Sequence, residues 1–196
     1  SAAMFIARLL RGNHGRRAIT AVSSQFQVLG MPSGHSVDVV ESPIADMFFN
    51  AQRREAATPL LVAGSRYSTP KGADTFAQIA VLLGEECVPL QFRWVGSVDA
   101  DSAARLREAG VAVISPSDDD ERAALLSAGW FYAATSGTRE SPCLVVEAMA
   151  MGMPCVALAT PQHRDVISHG ETGYLCESSV EVLSFVARLA ANPVLR

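Results

Sequence analysis

The chain has 196 residues, of which 49% are apolar and 18% are charged, a composition typical of a globular protein and unlike that of a disordered chain. The net charge of −4 at pH 7 argues against a broad nucleic-acid-binding surface. No apolar run reaches the roughly 20 residues of a membrane-spanning helix. The four cysteines lack Cys-x-x-Cys spacing, which favours reduced thiols in the core of a cytoplasmic protein.

The N-terminal part of the chain predicts two short strands and one helix. Residues 18–22 and 37–40 are apolar and predict the strands, and residues 23–29 predict the helix, which ends before Gly30. Residues 50–58 are polar and charged, and we interpret them as a linker.

From residue 59 onward, apolar strands alternate with helices of about ten residues. Such alternation predicts βαβ units and a parallel sheet. Strands that are apolar throughout are typical of a sheet covered on both faces by helices. The predicted fold class is therefore α/β. The predicted strands are residues 60–63, 92–95, 111–114, 130–134, 155–159 and 173–176, and the predicted helices are residues 73–83, 100–109, 118–128, 144–151 and 179–191.

The segment between the fourth and fifth strands of this series carries the strongest functional signal. Ser141 can cap a helix that starts near Pro142 and ends at Gly152. In an open parallel sheet, the loop before such a helix lies at the carboxyl ends of the strands, where ligands bind. The N–H groups at the helix start favour an anion there. Glu147, about one and a half turns into the helix, could reach the hydroxyls of a ligand; alternatively, it is a solvated helix residue.

A second candidate is the loop at residues 64–72, which follows the first strand of the series and opens a helix. Arg66 can donate two hydrogen bonds to a phosphate, and Lys71 adds a point charge. The simpler interpretation is two solvated loop cations. The loop has neither a Walker A nor a Gly-x-Gly-x-x-Gly pattern, so a P-loop NTPase or a classical dinucleotide site is disfavoured.

Three further features admit both a chemical and an ordinary interpretation. The acidic loop at residues 115–121 could bind a divalent metal, but a capped helix start that faces water is the simpler interpretation. Cys143, close to a helix start, could be a reactive thiol, but no Cys–His arrangement is visible. For His163 and His169 we favour a solvated or structural role.

Residues 140–154, Glu-Ser-Pro-Cys-Leu-Val-Val-Glu-Ala-Met-Ala-Met-Gly-Met-Pro, resemble the signature of a known family. These are the retaining, nucleotide-sugar-dependent glycosyltransferases of group 1, which have the two-domain GT-B architecture. In that family two Glu residues are separated by seven residues, and Ala-Met-Ala-x-Gly-x-Pro follows. Glu147 matches the second Glu, which binds the ribose of the donor nucleotide. The first Glu, which contacts the donor sugar, would fall at Arg139, so either Glu140 makes that contact or this protein has lost it.

The loop at residues 64–72 extends the resemblance. Arg66 and Lys71 match, at the family's spacing, the Arg and the Lys with which the family binds the donor phosphates. The resemblance implies catalytic roles for Glu140, Arg66 and Lys71, and neither a metal nor a cofactor other than the donor. It also implies a donor-binding site composed of Arg66, Lys71, the backbone N–H groups of Cys143, Leu144 and Val145, and the carboxylate of Glu147.

The resemblance implies the C-terminal half of a GT-B fold, built on a Rossmann-like sheet. Residues 1–57 would be the tail of the N-terminal acceptor half with a linker. Residues 58–196 would be the donor-nucleotide-binding domain, truncated at its C-terminus. Residues 160–175 are similar to the family's Gly-Gly-x-x-Glu loop and the Gly-x-Thr-Gly after it, but Asp165 replaces the Glu and Pro161-Gln162 replaces the Gly pair.

The implied function is transfer of a sugar from a nucleoside diphosphate sugar to an acceptor hydroxyl with retention of configuration, in the cytoplasm or peripherally at a membrane. The acceptor would be a carbohydrate, a lipid-linked molecule or a small molecule, and not a nucleic acid. Without its acceptor half, we expect this fragment to be inactive. Two alternatives stay open: a GT-B-type sugar-nucleotide epimerase, and a degenerate, non-catalytic nucleotide-sugar-binding or partner domain. The base, the sugar and the oligomeric state are not determined by the sequence.

Overall fold

The computed structural model describes residues 19–22, 36–39, 44–66, 70–85, 89–136 and 142–192. The chain divides into two compact units, Ser1–Pro43 and Ile44–Arg196. In the first unit, strands β1 (Ile19–Val22) and β2 (Ser36–Val39) pair in parallel, with Ile19 opposite Ser36. Both predicted strands are therefore confirmed to within one residue. The helix predicted at residues 23–29 lies outside the described residues.

The second unit contains a six-stranded sheet in which every strand pair is parallel, in the order β5-β4-β3-β6-β7-β8. Counted from the first strand of this unit, the order is 3-2-1-4-5-6, that of the classical Rossmann fold. The predicted α/β class with a Rossmann-like parallel sheet is thereby confirmed. Its strands are β3 (Leu60–Ser65), β4 (Gln91–Gly96), β5 (Val111–Ile114), β6 (Phe131–Ala134), β7 (Cys155–Leu158) and β8 (Tyr174–Cys176).

Seven helices are described in the second unit. They are α1 (Asp46–Asn50), α2 (Pro70–Glu85), α3 (Ala100–Glu108), α4 (Asp119–Ser127), α5 (Cys143–Ala150), α6 (Pro161–Arg164) and α7 (Ser179–Ala191). No helix in the described part of the chain is long and apolar enough to cross a membrane.

Helices cover both faces of this sheet, as the continuously apolar strands predict. One hydrophobic core contains buried side chains of α2, α3 and α7, and the other contains those of α1, α4 and α5. Strand β3 supplies both cores because successive side chains of a strand point to opposite faces. Leu61 belongs to the first core with Phe76 of α2, whereas Val62 belongs to the second with Leu126 of α4.

Side-chain caps place three helix starts within one residue of their predicted positions. Asp99, Asp118 and Ser178 each accept a hydrogen bond from the backbone N–H three residues later, at 2.9, 2.8 and 3.2 Å, where α3, α4 and α7 begin. At α4, Glu121 Oε2 also accepts from the backbone N–H of Ser117 at 2.7 Å. The interpretation of the acidic loop as a capped helix start is therefore confirmed.

The start of α2 differs from the prediction. The helix begins at Pro70, three residues before the predicted start, because proline suits the first turn of a helix, where its missing N–H is not needed. Lys71 therefore lies in the first helical turn and not in a loop. Its backbone carbonyl accepts a hydrogen bond from Thr75 Oγ1 at 2.9 Å.

The helix α5 (Cys143–Ala150) lies within one residue of the predicted range 144–151 at both ends. Pro142 occupies the N-cap position without a side-chain cap, and the predicted cap Ser141 lies outside the described residues. At the other end, Gly152 adopts a φ of 70°, and its N–H donates to the carbonyl of Met149 at 2.9 Å. The left-handed conformation explains why glycine ends this helix.

The segment at residues 44–56 corrects the predicted linker at residues 50–58. The aromatic ring of Phe48 in α1 is completely buried in the second core. The guanidinium of Arg53 donates to the carbonyls of Gly129 and Trp130 at 2.9 and 3.1 Å, and Trp130 Nε1 donates to the carbonyl of Ala56 at 2.6 Å. The second unit thus begins at residue 44. The boundary of the donor-binding domain at residue 58 stays a prediction. The assignment of the preceding residues to an acceptor half stays a prediction.

Replacing Phe48 with Ala should destabilise the second unit by about 3–5 kcal/mol, because a fully buried ring leaves a cavity. The matched control is Phe49→Ala. Because Phe49 is 63% exposed, this substitution should lower the free energy of unfolding by no more than about 0.5 kcal/mol. Urea unfolding followed by tryptophan fluorescence measures both, because the two tryptophans of the chain, Trp94 and Trp130, lie in the second unit. Equal unfolding midpoints for the two variants would show that α1 is not part of this core.

The imidazole of His163 makes stability depend on pH. His163 is buried, and its Nδ1–H donates to the carbonyl of Leu158 at 2.6 Å. Burial lowers the pKa of His163 and outweighs the hydrogen bond to Leu158, which acts in the opposite direction. Below the unfolded-state pKa of about 6.5, the imidazole binds a proton in the unfolded chain but stays neutral in the folded chain. The neutral, buried imidazole therefore stabilises the fold above this pH, and its contribution to stability is lost as the pH falls.

His163→Asn should therefore weaken the loss of stability between pH 7.5 and pH 5.5, because an asparagine amide retains the donor to Leu158 but does not titrate. The measurement is the free energy of urea unfolding at both pH values. Parallel pH profiles for His163→Asn and the wild type would contradict this assignment.

Candidate functional site at the carboxyl edge of the sheet

Two of the predicted site residues, Arg66 and Glu147, meet where the strand order reverses. Strands β3 and β6 are neighbours, with Leu61 opposite Phe131, yet they are not consecutive in the chain. Their connections diverge at the carboxyl edge and leave a crevice. Arg66 directly follows β3. Thr135, which follows β6, donates from Oγ1 to the carbonyl of Gly72 at 2.8 Å, so the end of β6 adjoins the first turn of α2.

Glu147 is the centre of this edge. It lies on α5 and is only 1% exposed, so its interpretation as a solvated helix residue is wrong. Arg122 Nε donates to Glu147 Oε2 at 2.9 Å, and Arg122 Nη2 donates to Oε1 at 3.2 Å. Arg66 Nη2 also donates to Oε1. The carboxylate is thus enclosed by two guanidinium groups.

Arg122 belongs to this site although we did not predict it from the sequence. It lies on α4, is 8% exposed, and donates from Nη2 to Asp119 Oδ1 at 2.5 Å. Its guanidinium also lies over the ring of Phe48, 5.4 Å from the ring centroid. The available sequence signal was a cation four residues before Leu126, on the face of α4 that is otherwise apolar. Its partner Glu147, however, is 25 residues away in the chain.

The charges of the cluster balance in the absence of a ligand, since two guanidinium groups, Arg66 and Arg122, face two carboxylates, Glu147 and Asp119. Burial by itself would lower the pKa of the Arg66 guanidinium, but the hydrogen bond and the negative charge of Glu147 outweigh burial, and the pKa of Arg66 is raised. The Arg66 side chain is nevertheless 41% exposed. It can therefore face an anion in the crevice.

A cleft of about 260 Å³ adjoins the cluster at the ends of β3, β4 and β5. Its floor requires a glycine, because Gly96 has a φ of +120° and a Cβ atom there would lie 2.0 Å from the carbonyl oxygen of Ser65. Ser115 and Pro116, at the start of the acidic loop at residues 115–121, form part of the wall of the cleft. The polar groups that line the cleft include the side chains of Arg66, Ser97, Ser115 and Arg122.

The remaining predicted site residues differ in what the structure describes. The first intrahelical hydrogen bond of α5 comes from the N–H of Val146, which donates to the carbonyl of Pro142 at 3.0 Å. The N–H groups of Cys143, Leu144 and Val145 precede it, as expected of a helix start. Lys71 is exposed on the first turn of α2. Glu140 and Arg139 lie outside the described residues, so the role of Glu140 stays a prediction.

The described residues contain no group of three or more His, Cys, Asp or Glu side chains that could hold a metal ion. In the acidic loop, Asp118 and Glu121 accept backbone N–H groups, and Asp119 pairs with Arg122. The carboxylates of that loop therefore serve the helix start and the cluster.

The family model described as "Glycosyl transferases group 1" matches residues 58–192. The chain belongs to this family. Among curated proteins, an uncharacterized glycosyltransferase of Haemophilus influenzae is 37% identical over 67 residues, which are 33% of this chain and 19% of that protein. The chain therefore matches only about a fifth of the length of this relative.

Solved structures share the fold. A mutant of S. aureus TarM, in complex with fondaparinux, alpha-GlcNAc-glycerol and UDP, superposes with a TM-score of 0.75 at 18% identity, over 89% of this chain and 37% of that chain. The C-terminal domain of LpcC, a glycosyl transferase group 1 family protein from Francisella tularensis, gives a TM-score of 0.56 at 15% identity, over 79% of this chain and 86% of that domain. These likenesses confirm the GT-B-like architecture.

The buried pair between Arg122 and Glu147 should be strongly coupled. Arg122→Met should cost about 3–5 kcal/mol of stability, because it leaves the Glu147 carboxylate buried with a weaker set of partners. The double variant Arg122→Met, Glu147→Met should be more stable than Arg122→Met alone, since it buries no unpaired charge. Urea unfolding of the four proteins of this cycle gives the coupling free energy.

The matched control is Arg105→Met, because the ion pair of Arg105 with Asp74 lies on the surface. Its unfolding midpoint should stay close to that of the wild type. If Arg122→Met were as mild as this control, or if the double variant were the least stable of the set, the cluster would not be a coupled buried pair.

Proposed function

We propose that the second unit is the donor-nucleotide-binding, C-terminal domain of a retaining glycosyltransferase. The full-length protein would transfer a sugar from a nucleoside diphosphate sugar to the hydroxyl of a carbohydrate, a lipid-linked or a small-molecule acceptor. The observation that carries this proposal is the contact of Arg66 with Glu147 at the crevice between β3 and β6, where the first turn of α2, which contains Lys71, adjoins the end of β6. Membership of the group 1 family and the likeness to the LpcC C-terminal domain support it.

Arg66 and Lys71 are suited to hold the diphosphate of the donor. The Arg66 guanidinium is partly exposed at the end of β3 and can donate two parallel hydrogen bonds to phosphate oxygens. Lys71 lies in the first turn of α2, where a cation opposes the helix dipole in the free protein. A bound diphosphate removes this penalty. The same cations would neutralise the charge that develops on the phosphate as the bond to the sugar breaks.

Glu147 is suited to bind the ribose. Its carboxylate oxygens already accept hydrogen bonds from two guanidinium groups, and they can accept from ribose hydroxyls in the same way. When the donor enters, Arg66 would turn from Glu147 to the phosphate. This would free Glu147 Oε1 to accept a hydrogen bond from the ribose. The adjacent 260 Å³ cleft, with the hydroxyls of Ser97 and Ser115, would receive the base. A GT-B-like relative of known structure, TarM, was crystallised with UDP.

Transfer itself would depend on electrostatic stabilisation of the leaving diphosphate. Among the described residues of the crevice, Glu147 is paired with two arginines and is not free to act as a nucleophile. Retention of configuration and a sugar contact by Glu140 follow from the resemblance in residues 140–154. We expect the donor to be the only bound cofactor-like molecule.

A second candidate function is a non-catalytic nucleotide-sugar-binding domain. It is favoured by Arg139, which stands where the family has its first Glu, and by Pro161-Gln162 in place of the family's Gly pair. Pro161 is the first residue of α6, which follows the side-chain cap of Thr160. Such a domain would bind the donor nucleotide and would have no transferase activity even in the full-length protein.

Calorimetric titration of the chain with UDP, GDP and ADP tests the donor site. We expect one of these nucleotides to bind, and Lys71→Ala and Arg66→Ala each to weaken it by roughly 10- to 100-fold, the value of a hydrogen bond to a charged group. The matched control is Arg105→Ala, an exposed cation that pairs with Asp74 away from the crevice. A folded protein that binds none of the three nucleotides, or whose Lys71→Ala variant binds as tightly as the control, would contradict the proposal.

Lys71 also provides a direct spectroscopic probe, because it is the only lysine of the chain. Reductive methylation with ¹³C-formaldehyde labels only Lys71 and the N-terminal amine, and the Lys71 signal is identified by its loss in Lys71→Arg. Saturation with the bound nucleotide should shift this signal. A signal that stays unchanged at saturation would place the diphosphate elsewhere.

A further inference from the structure

Arg122 controls the orientation of Glu147 more completely than Arg66 does. Its Nε and Nη2 groups contact different oxygens of the carboxylate, Oε2 at 2.9 Å and Oε1 at 3.2 Å. Such a fork determines the plane of the carboxylate as well as its position. Arg66 contacts Oε1 and, being partly exposed, is able to leave. The orientation of Glu147 is therefore set from the side of α4.

Arg122 is itself held on two sides. Asp119, one turn earlier on α4, accepts from Nη2 at 2.5 Å. Phe48 of α1 packs against the guanidinium, with the ring centroid 5.4 Å away. Because Arg122 is buried, these contacts enclose most of its side chain. Three helices, α1, α4 and α5, thus hold one carboxylate at the edge of the crevice before any ligand arrives.

We propose that Arg122 is a positioning residue that aims Glu147 at the ribose hydroxyls of the donor. Arg122 would determine how strongly the site prefers a ribonucleotide to a nucleotide without these hydroxyls, whereas Lys71 determines the affinity for the diphosphate. A carboxylate that is oriented in advance loses less entropy on binding than one that must be ordered by the ligand. This inference rests on the proposed function and adds a residue to it.

The test compares the dissociation constants of two ligands, the nucleoside diphosphate that binds most tightly among UDP, GDP and ADP, and its 2′,3′-dideoxy counterpart. Their ratio measures recognition of the ribose hydroxyls. We expect a ratio of roughly 10 to 100 for the wild type, the value of a hydrogen bond to a charged group. Glu147→Gln should reduce the ratio to a few-fold, and Lys71→Ala should weaken both ligands and preserve the ratio.

Arg122→Lys is the decisive variant, because lysine keeps the charge but has a single point donor in place of the fork. It should lower the ratio at least about fivefold, because the ligand that carries the ribose hydroxyls loses more affinity than the dideoxy ligand does. The matched control is Arg93→Lys. Arg93 donates from Nη1 to the carbonyl of Leu125 at 2.9 Å, so it also supports α4 but acts at the other end of that helix. A purely structural effect would change the dissociation constants of both ligands by the same factor in both variants.

Phe48→Leu is the second variant and decides the question if Arg122→Lys does not fold. It leaves every charge in place and removes only the ring beneath the guanidinium, so the ratio should fall in the same direction by a smaller factor. The inference is overturned if the wild-type chain binds the ribonucleotide more tightly than its dideoxy counterpart and both Arg122→Lys and Phe48→Leu keep the same ratio of dissociation constants. That result would leave the proposed donor site intact. A folded wild-type chain that binds no nucleotide overturns the proposed function, and the inference with it.

Discussion

The buried ion pair between Glu147 and Arg122 is the constraint on which the carboxyl edge of the second unit depends. A carboxylate that is 1% exposed must be neutralised or paired. Here the partner comes from α4, and the partner is in turn supported by Phe48 of α1. Because apolar residues of similar volume would stabilise a core at least as well, stability alone does not account for an ion pair at this position. Its location at the crevice is the better reason.

The Rossmann-like strand order explains why the charges meet there. The chain leaves β3 and β6 in opposite directions, so one gap in the carboxyl edge receives the end of β3, the start of α2 and the start of α5. Residues far apart in sequence, such as Arg66 and Glu147, become neighbours without any local signal. Gly96 permits β4 to approach β3 closely at the same edge. The architecture thus places the Arg66–Glu147 pair and the adjoining cleft at one edge of the sheet.

The segment at residues 44–56 is an integral part of the second unit. Residues 50–56 are mostly polar, yet the hydrogen bonds of Arg53 and the burial of Phe48 attach the segment to the sheet and its helices. The same ring that anchors α1 also packs on Arg122. A single aromatic side chain therefore contributes to the stability of the unit and to the geometry of the crevice.

Local patterns were sufficient for much of this protein. Apolar runs located the six strands of the second unit, three helix starts were predicted to within one residue, and the resemblance of residues 140–154 identified Glu147. These features depend on neighbours within a few residues, which a sequence displays directly. The sequence did not indicate that Phe48 is buried, that Arg122 pairs with Glu147, or that residues 44–56 belong to the second unit. Those facts arise from contacts across 25 or more residues, because the partner of a buried charge is chosen by tertiary packing and not by the order of the chain.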